Sequence, residues 1–219
     1  VDIQNNKTSQ LLSYLSLAPK RYGFDRGPFR RLVNFKIKDP GPMPPVAHQE
    51  KLLSLLDIQE IDQTLELWTG PKDEEAIDRL LREEWLSGSE ALVGVNLGGS
   101  PRWETKRWPV SYIAELCDRL AQDKVRVVLT GSDRERDLLQ QLLSQVRTKP
   151  IVAVGKTNLP QLACLIRRCR AFVTVDSAPM HIAASVKVPV VAFFGPTDPK
   201  RHFPPTERSS PRRRDRRSL

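Results

Sequence analysis

A chain of 219 residues with 39% apolar side chains is long enough for one large domain or two small ones, each with its own core. It contains no run of eighteen apolar residues and does not open on the charged-then-apolar pattern of a secretory signal, so a transmembrane helix and a leader are not expected. The net charge of +9 fits phosphate-rich ligands or an anionic surface, and six Arg against one Glu and one Asp in residues 206–219 supply +4 of it.

In chain order, Val1–Gln4 has the pattern of a strand interior, which suggests that the chain is truncated at its N-terminus. A polar turn is expected at Asn5–Lys7 and an amphipathic helix over Ser9–Leu17, which carries Leu11, Leu12, Leu15 and Leu17. Arg21–Phe24 returns to extended structure. Residues 28–45 hold five prolines and are expected to be loop. His48–Leu56 is expected to be a short helix, Leu65–Trp68 a short strand, and Asp73–Leu86 a helix with acidic residues in its first turn. Ser87-Gly88-Ser89 looks like a linker.

From Ala91 the pattern becomes regular. Strands are expected at Leu92–Leu97, Val125–Leu129, Ile151–Val154, Ala171–Val175 and Val190–Phe194. They alternate with helices over Pro109–Gln122, Asp133–Val146, Leu159–Cys169 and Met180–Val186. This alternation predicts an α/β fold with a doubly wound parallel sheet. Four segments follow: 1–70 as part of a first domain, 71–90 as a helix and linker, 91–205 as the regular domain, and 206–219 as a basic disordered tail. The three cysteines, Cys117, Cys164 and Cys169, sit in apolar helical patterns. They are expected to be reduced and buried, which suits the cytoplasm, and without clustered His they offer no metal site.

The chemistry gathers at the carboxyl ends of the expected strands. Gly98-Gly99 permits close backbone approach to a ligand, and the following Ser100, Thr105, Lys106 and Arg107 add donors and positive charge suited to a diphosphate. The loop matches neither a Walker A nor a GxGxxG pattern, so no dinucleotide cofactor is expected. Glu135 follows Thr130-Gly131-Ser132. It either offsets a helix macrodipole or accepts from a ribose diol. Asp176, Ser177, Ala178, Met180 and His181 lie where a strand ends and a helix with Pro179 in its first turn begins. Helix capping and anion binding both explain Asp176 and Ser177. A neutral His181 there could donate one N–H to a phosphate and anchor the turn with its other nitrogen.

Four stretches, NLGGSPRWETKRWP (96–109), LTGSDRE (129–135), DSAPMHIAAS (176–185) and FFGPTDPKRHFPP (193–205), resemble glycosyltransferase family nine, which includes the lipopolysaccharide heptosyltransferases. Their order and spacing match, and 1–27 and 48–58 resemble the later part of that family's first domain. The resemblance implies a GT-B fold, two Rossmann-like domains of which the second grips a nucleotide-activated sugar, typically ADP-heptose. It implies inverting, metal-independent transfer to a lipid-borne saccharide at the cytoplasmic face of the inner membrane, with no cofactor. Lys106 would contact the diphosphate and Glu135 the ribose. The backbone of Asp176, Ser177, Ala178 and Met180 would meet the phosphates, with His181 in support. Many members read Asp-Thr-Gly where this chain has Asp-Ser-Ala-Pro.

The family's catalytic base lies near the start of its first domain, so none is assigned here, and this chain is expected to be an inactive fragment. The competing expectations are a transferase or epimerase that uses a UDP- or GDP-sugar, a non-catalytic homologue, and a nucleic-acid or membrane adaptor built on the Arg-rich tail.

Overall fold

The computed structural model describes residues 1–41, 43–59, 61–62, 64–84, 91–99, 104–204 and 212–213, with backbone only for Glu104, Lys200, Arg212 and Arg213. They fall into two compact units, residues 1–63 with 200–202, and residues 64–199 with the remainder.

In the first unit, α1 (Lys7–Leu15) starts at a reciprocal cap. Asn6 Oδ1 accepts from Ser9 N at 2.9 Å, and Ser9 Oγ accepts from Asn6 N at 3.1 Å. This cap starts the helix inside the turn expected at Asn5–Lys7. Val1–Gln4 forms no strand, because its one tie to β1 is the Asp2 N–H donating to Tyr22 O. Strands β1 (Tyr22–Phe24) and β2 (Phe35–Ile37) pair in parallel, although β2 falls in a stretch expected to be loop. The prolines of that stretch flank β2 and leave its ladder N–H groups intact.

Helix α2 (Pro45–Leu53) begins with Pro at its first position and runs into a 3₁₀ turn, Ser54–Leu56. Phe24, Val33 and Leu52 are the buried apolar residues of this unit. Arg26, Asp39 and His48 line a cavity of about 470 Å³ in it. Asp39 accepts from Arg26 at 2.7 Å and from Gly41 N at 2.9 Å, with the His48 ring 3.2 Å away. The Arg26 guanidinium, with that backbone N–H, holds the Asp39 carboxyl down to about 2.

The second unit starts at Thr64, ahead of the boundary expected at residue 70. Residues 65–68 form no strand. Helix α3 (Pro71–Glu84) buries Ile77 and Leu81 in this unit's core, so it belongs to the domain and does not merely join it. The sheet contains β3 (Ala91–Asn96), β4 (Val125–Thr130), β5 (Ile151–Val152), β6 (Ala171–Val175), β7 (Val190–Phe194) and β8 (Arg212–Arg213). All pairings are parallel and the order is β5-β4-β3-β6-β7-β8. The five expected strands are present, and β8 adds an edge from within the basic tail.

Both faces are covered, which is why the strands read as largely apolar runs. On one face α4 (Val110–Gln122) and α5 (Arg136–Leu143) pack Ile113, Ala114, Cys117 and Leu142 against Val95, Val127 and Leu129. On the other, α3 and α6 (Leu159–Arg167) pack Ile77, Leu81, Cys164 and Leu165 against Leu92, Val128 and Ile151. Beside them α7 (Ala178–Ser185) packs Met180 and Ala183 against Phe172, Ala192 and Phe194. Asn158 caps α6 by accepting from Gln161 N at 2.9 Å.

All three cysteines are buried and free. Burial pushes the Cys117 and Cys169 thiols up to about 12, and the Cys164 thiol is raised for the same reason. A thiol-reactive probe at pH 8 is therefore expected to label fewer than about one thiol in the native chain and all of them in guanidinium. Rapid native labelling would contradict the buried placement.

Candidate functional site

The strand order reverses at β3. From it the chain moves to β4 and β5 on one side, then returns to β6 and β7 on the other. In an open parallel sheet, the crevice beyond the carboxyl ends of two such strands is where ligands bind. Here it lies between Gly98-Gly99, after β3, and Asp176-Ser177, after β6.

Asp176 is buried, and its backbone N–H donates to Phe193 O at 3.2 Å. Its Oδ2 accepts from Lys106 Nζ at 2.7 Å and from Thr197 Oγ1 at 2.6 Å. The carboxylate is thus committed to two other loops. Ser177 occupies the N-cap position of α7, yet its side chain makes no cap bond. Its hydroxyl instead donates to Val175 O at 3.2 Å and lies 3.2 Å from Thr174 Oγ1. The Ser177 side chain therefore does not cap α7. Pro179 has no N–H, and Met180 N donates to Ser177 O at 3.1 Å. Ser177 gives the first turn of α7 no side-chain cap, and a helix start carries partial positive charge.

Lys106 ends a 3₁₀ turn, Glu104–Lys106, in the loop after β3, and only 10% of its side chain is exposed. Two contacts bring this loop to the end of β7. Trp108 packs on Phe193 with ring centroids 4.5 Å apart. Gly195 lies so close to the loop that a Cβ there would stand 2.9 Å from Thr105 O. A glycine is required at that approach.

Glu135 stands one strand away, at the end of a 3₁₀ turn Asp133–Glu135 that follows β4. It is buried, and its Oε2 accepts from Ser132 N and Ser132 Oγ, both at 2.7 Å. The helix-start role weighed for Glu135 is real, as one half of a capping box. The same carboxylate also lies against Gly98, where a Cβ would come within 3.1 Å of Glu135 Cδ. Asn96 Nδ2 donates to Gly98 O at 2.7 Å and holds that glycine in place. One group thus shapes its own loop and faces the end of β3.

The other expected residues divide. The Met180 side chain is fully buried in the core beside Phe194, so it does not line the crevice. His181 follows it in α7 and is exposed. Ser100 lies outside the described residues. Thr197 was not among the expected site residues. Pattern alone did not show its hydroxyl meeting a carboxylate twenty-one residues earlier. Among the described residues no group of three or more His, Cys, Asp or Glu could hold a metal ion, and no helix is long and apolar enough to cross a membrane. An ammonium, the start of α7 and a glycine pair lie around one crevice, an arrangement whose chemistry suits an anionic group.

The family model described as glycosyltransferase family 9 (heptosyltransferase) matches residues 1–214. Lipopolysaccharide heptosyltransferase 2 of Salmonella typhimurium is 29% identical over 209 residues, covering 90% of this chain and 59% of that protein. Lipopolysaccharide heptosyltransferase 3 of Escherichia coli K12 is 42% identical over 96 residues, 42% of this chain and 28% of that protein.

Among solved structures, a family 9 glycosyl transferase from Veillonella parvula superposes with a TM-score of 0.84 at 25% identity, covering 97% of this chain and 61% of the other. The E. coli ADP-heptose lipopolysaccharide heptosyltransferase II gives 0.69 at 26% identity, covering 93% and 64%. The α/β architecture with its parallel sheet is that of these GT-B proteins. The chain spans about 60% of the length of its full-length relatives. With its family match running from residue 1 to 214, the chain belongs to glycosyltransferase family 9, the heptosyltransferases.

Proposed function

We propose that this chain carries the donor-binding half of a heptosyltransferase, which moves a heptose from ADP-heptose to the lipopolysaccharide core or a similar glycan. The observation that carries the reading is the Lys106–Asp176–Thr197 cluster beside the start of α7, at the switch point of the sheet. The names of the relatives supply the sugar and the nucleotide.

In this reading the diphosphate lies across the first turn of α7 and the Gly98-Gly99 backbone. As the bond from the anomeric carbon to the diphosphate oxygen breaks, negative charge grows on the leaving group. Lys106 and the α7 dipole stabilise that charge where it develops. Glu135, whose carboxylate lies against Gly98, accepts from a ribose hydroxyl. The acceptor hydroxyl loses its proton to a base that is not assigned to any residue of this chain. No metal takes part. The acceptor is lipid-linked, which places the work on the cytoplasmic face of the inner membrane.

The test is a thermal-shift and calorimetric comparison of ADP, UDP and GDP. ADP at one hundred times its Kd is expected to add about 2.7 kcal/mol of stability, a rise in Tm of roughly 5–10 °C. A larger effect from UDP or GDP would favour a transferase or epimerase of another donor class. No effect from any of the three would overturn the donor-site assignment.

A further inference from the structure

We infer that Thr197 is a positioning residue for diphosphate binding: its hydroxyl pins the Asp176 carboxylate, which in turn aims the Lys106 ammonium into the crevice. The inference rests on the donor-site reading above. It starts from the two donors that meet on one atom, Thr197 Oγ1 at 2.6 Å and Lys106 Nζ at 2.7 Å from Asp176 Oδ2. Three separate segments supply these groups: the loop after β3, the end of β6 and the loop after β7.

Lysine is a point charge on a flexible four-carbon stem, so its direction must come from its partners. An ammonium has three N–H donors and can keep Asp176 while it turns another to a phosphate oxygen. With one donor fewer, the carboxylate would follow the ammonium more readily as the ligand draws on it. A hydroxyl from a third segment prevents this. The Thr197 segment is itself held. Pro196 and Pro199 restrict the backbone around it, and Asp176 N–H to Phe193 O ties the end of β6 to β7 at 3.2 Å. Gly195 admits Thr105 O at a distance that any Cβ would block. The lysine is thus oriented before the ligand arrives, and less ordering is left to offset binding.

The experiment is calorimetry of ADP binding to the 219-residue chain and to Thr197→Val, Thr197→Ser, Lys106→Met and the Thr197→Val/Lys106→Met pair, with Tm measured for each. Thr197→Val keeps the shape and removes the hydroxyl. It is expected to weaken ADP binding about tenfold, the scale of one hydrogen bond to a charged group. Thr197→Ser is expected to stay within about twofold of the parent. With Lys106 already replaced, Thr197→Val is expected to cause no further loss, because the effect passes through the lysine. A Thr197→Val protein with lower Tm and unchanged Kd would overturn the positioning role, as would losses that add to those of Lys106→Met. A parent chain that binds none of ADP, UDP or GDP would remove the donor-site reading and this inference with it. A parent that binds while Thr197→Val binds equally well would remove the inference alone.

Discussion

Replacing Lys106 with Met is expected to weaken binding of a nucleoside diphosphate by roughly 10- to 100-fold, the worth of about 1.5–3 kcal/mol carried by a hydrogen bond to a charged group. Met matches the length and most of the stem of Lys, so the variant removes charge and donors with little change in shape. Lys106 is 10% exposed and pairs with a carboxylate that is 8% exposed, so water does little to screen the interaction. Binding by the variant should also depend somewhat less steeply on salt, because one positive charge that attracts the anionic ligand from solution has been removed. A stability loss of about 1–3 kcal/mol is expected alongside, since Asp176 is left buried with one fewer donor. Adding Asp176→Asn should recover part of the stability and none of the binding. Calorimetry across a salt series checks the first effect and urea unfolding the second. Parental affinity in Lys106→Met would remove the lysine from the site.

The largest stability effect is expected at Gly94 and Phe172. A Cβ on Gly94 would stand 2.5 Å from Phe172 Cδ2 and 2.8 Å from Cε2. The ring is fully buried and has no space to yield into. Gly94→Ala should therefore cost about 1–3 kcal/mol by overpacking. Phe172→Ala removes the ring and should cost about 3–5 kcal/mol, a fall in Tm of roughly 6–20 °C. In the double variant the new methyl occupies part of the space the ring left. The combined loss should thus fall short of the sum by about 1 kcal/mol or more. Urea unfolding of the four proteins measures it. Strictly additive losses would show that Gly94 and Phe172 do not share that space.

Between β3 and β7 the strands were legible because each is a largely apolar run bounded by Gly, Pro or polar residues, even with Arg126 inside β4 and Thr174 inside β6. A sheet buried on both faces demands that pattern. Lys106, Glu135 and Asp176 stood out because each follows such a run at a turn. The first unit was harder to read. β2 is three residues with two exposed, so no periodicity marks it. α1 has Gln10 as its one buried residue, so its leucines point to a helix without saying which face is covered.

By itself the sequence determined the strand–helix alternation, the parallel sheet and the places where polar groups follow strand ends, since all of these are local in the chain. Only the tertiary structure decided what those polar groups do. It joined Asp176 to Lys106, seventy residues earlier, and brought in Thr197 from the loop beyond β7. The physical reason is that a carboxylate's preference between a nearby N–H and a distant ammonium depends on which loops reach it. That depends on strand order, on a close approach at Gly195 and on Trp108 packing against Phe193.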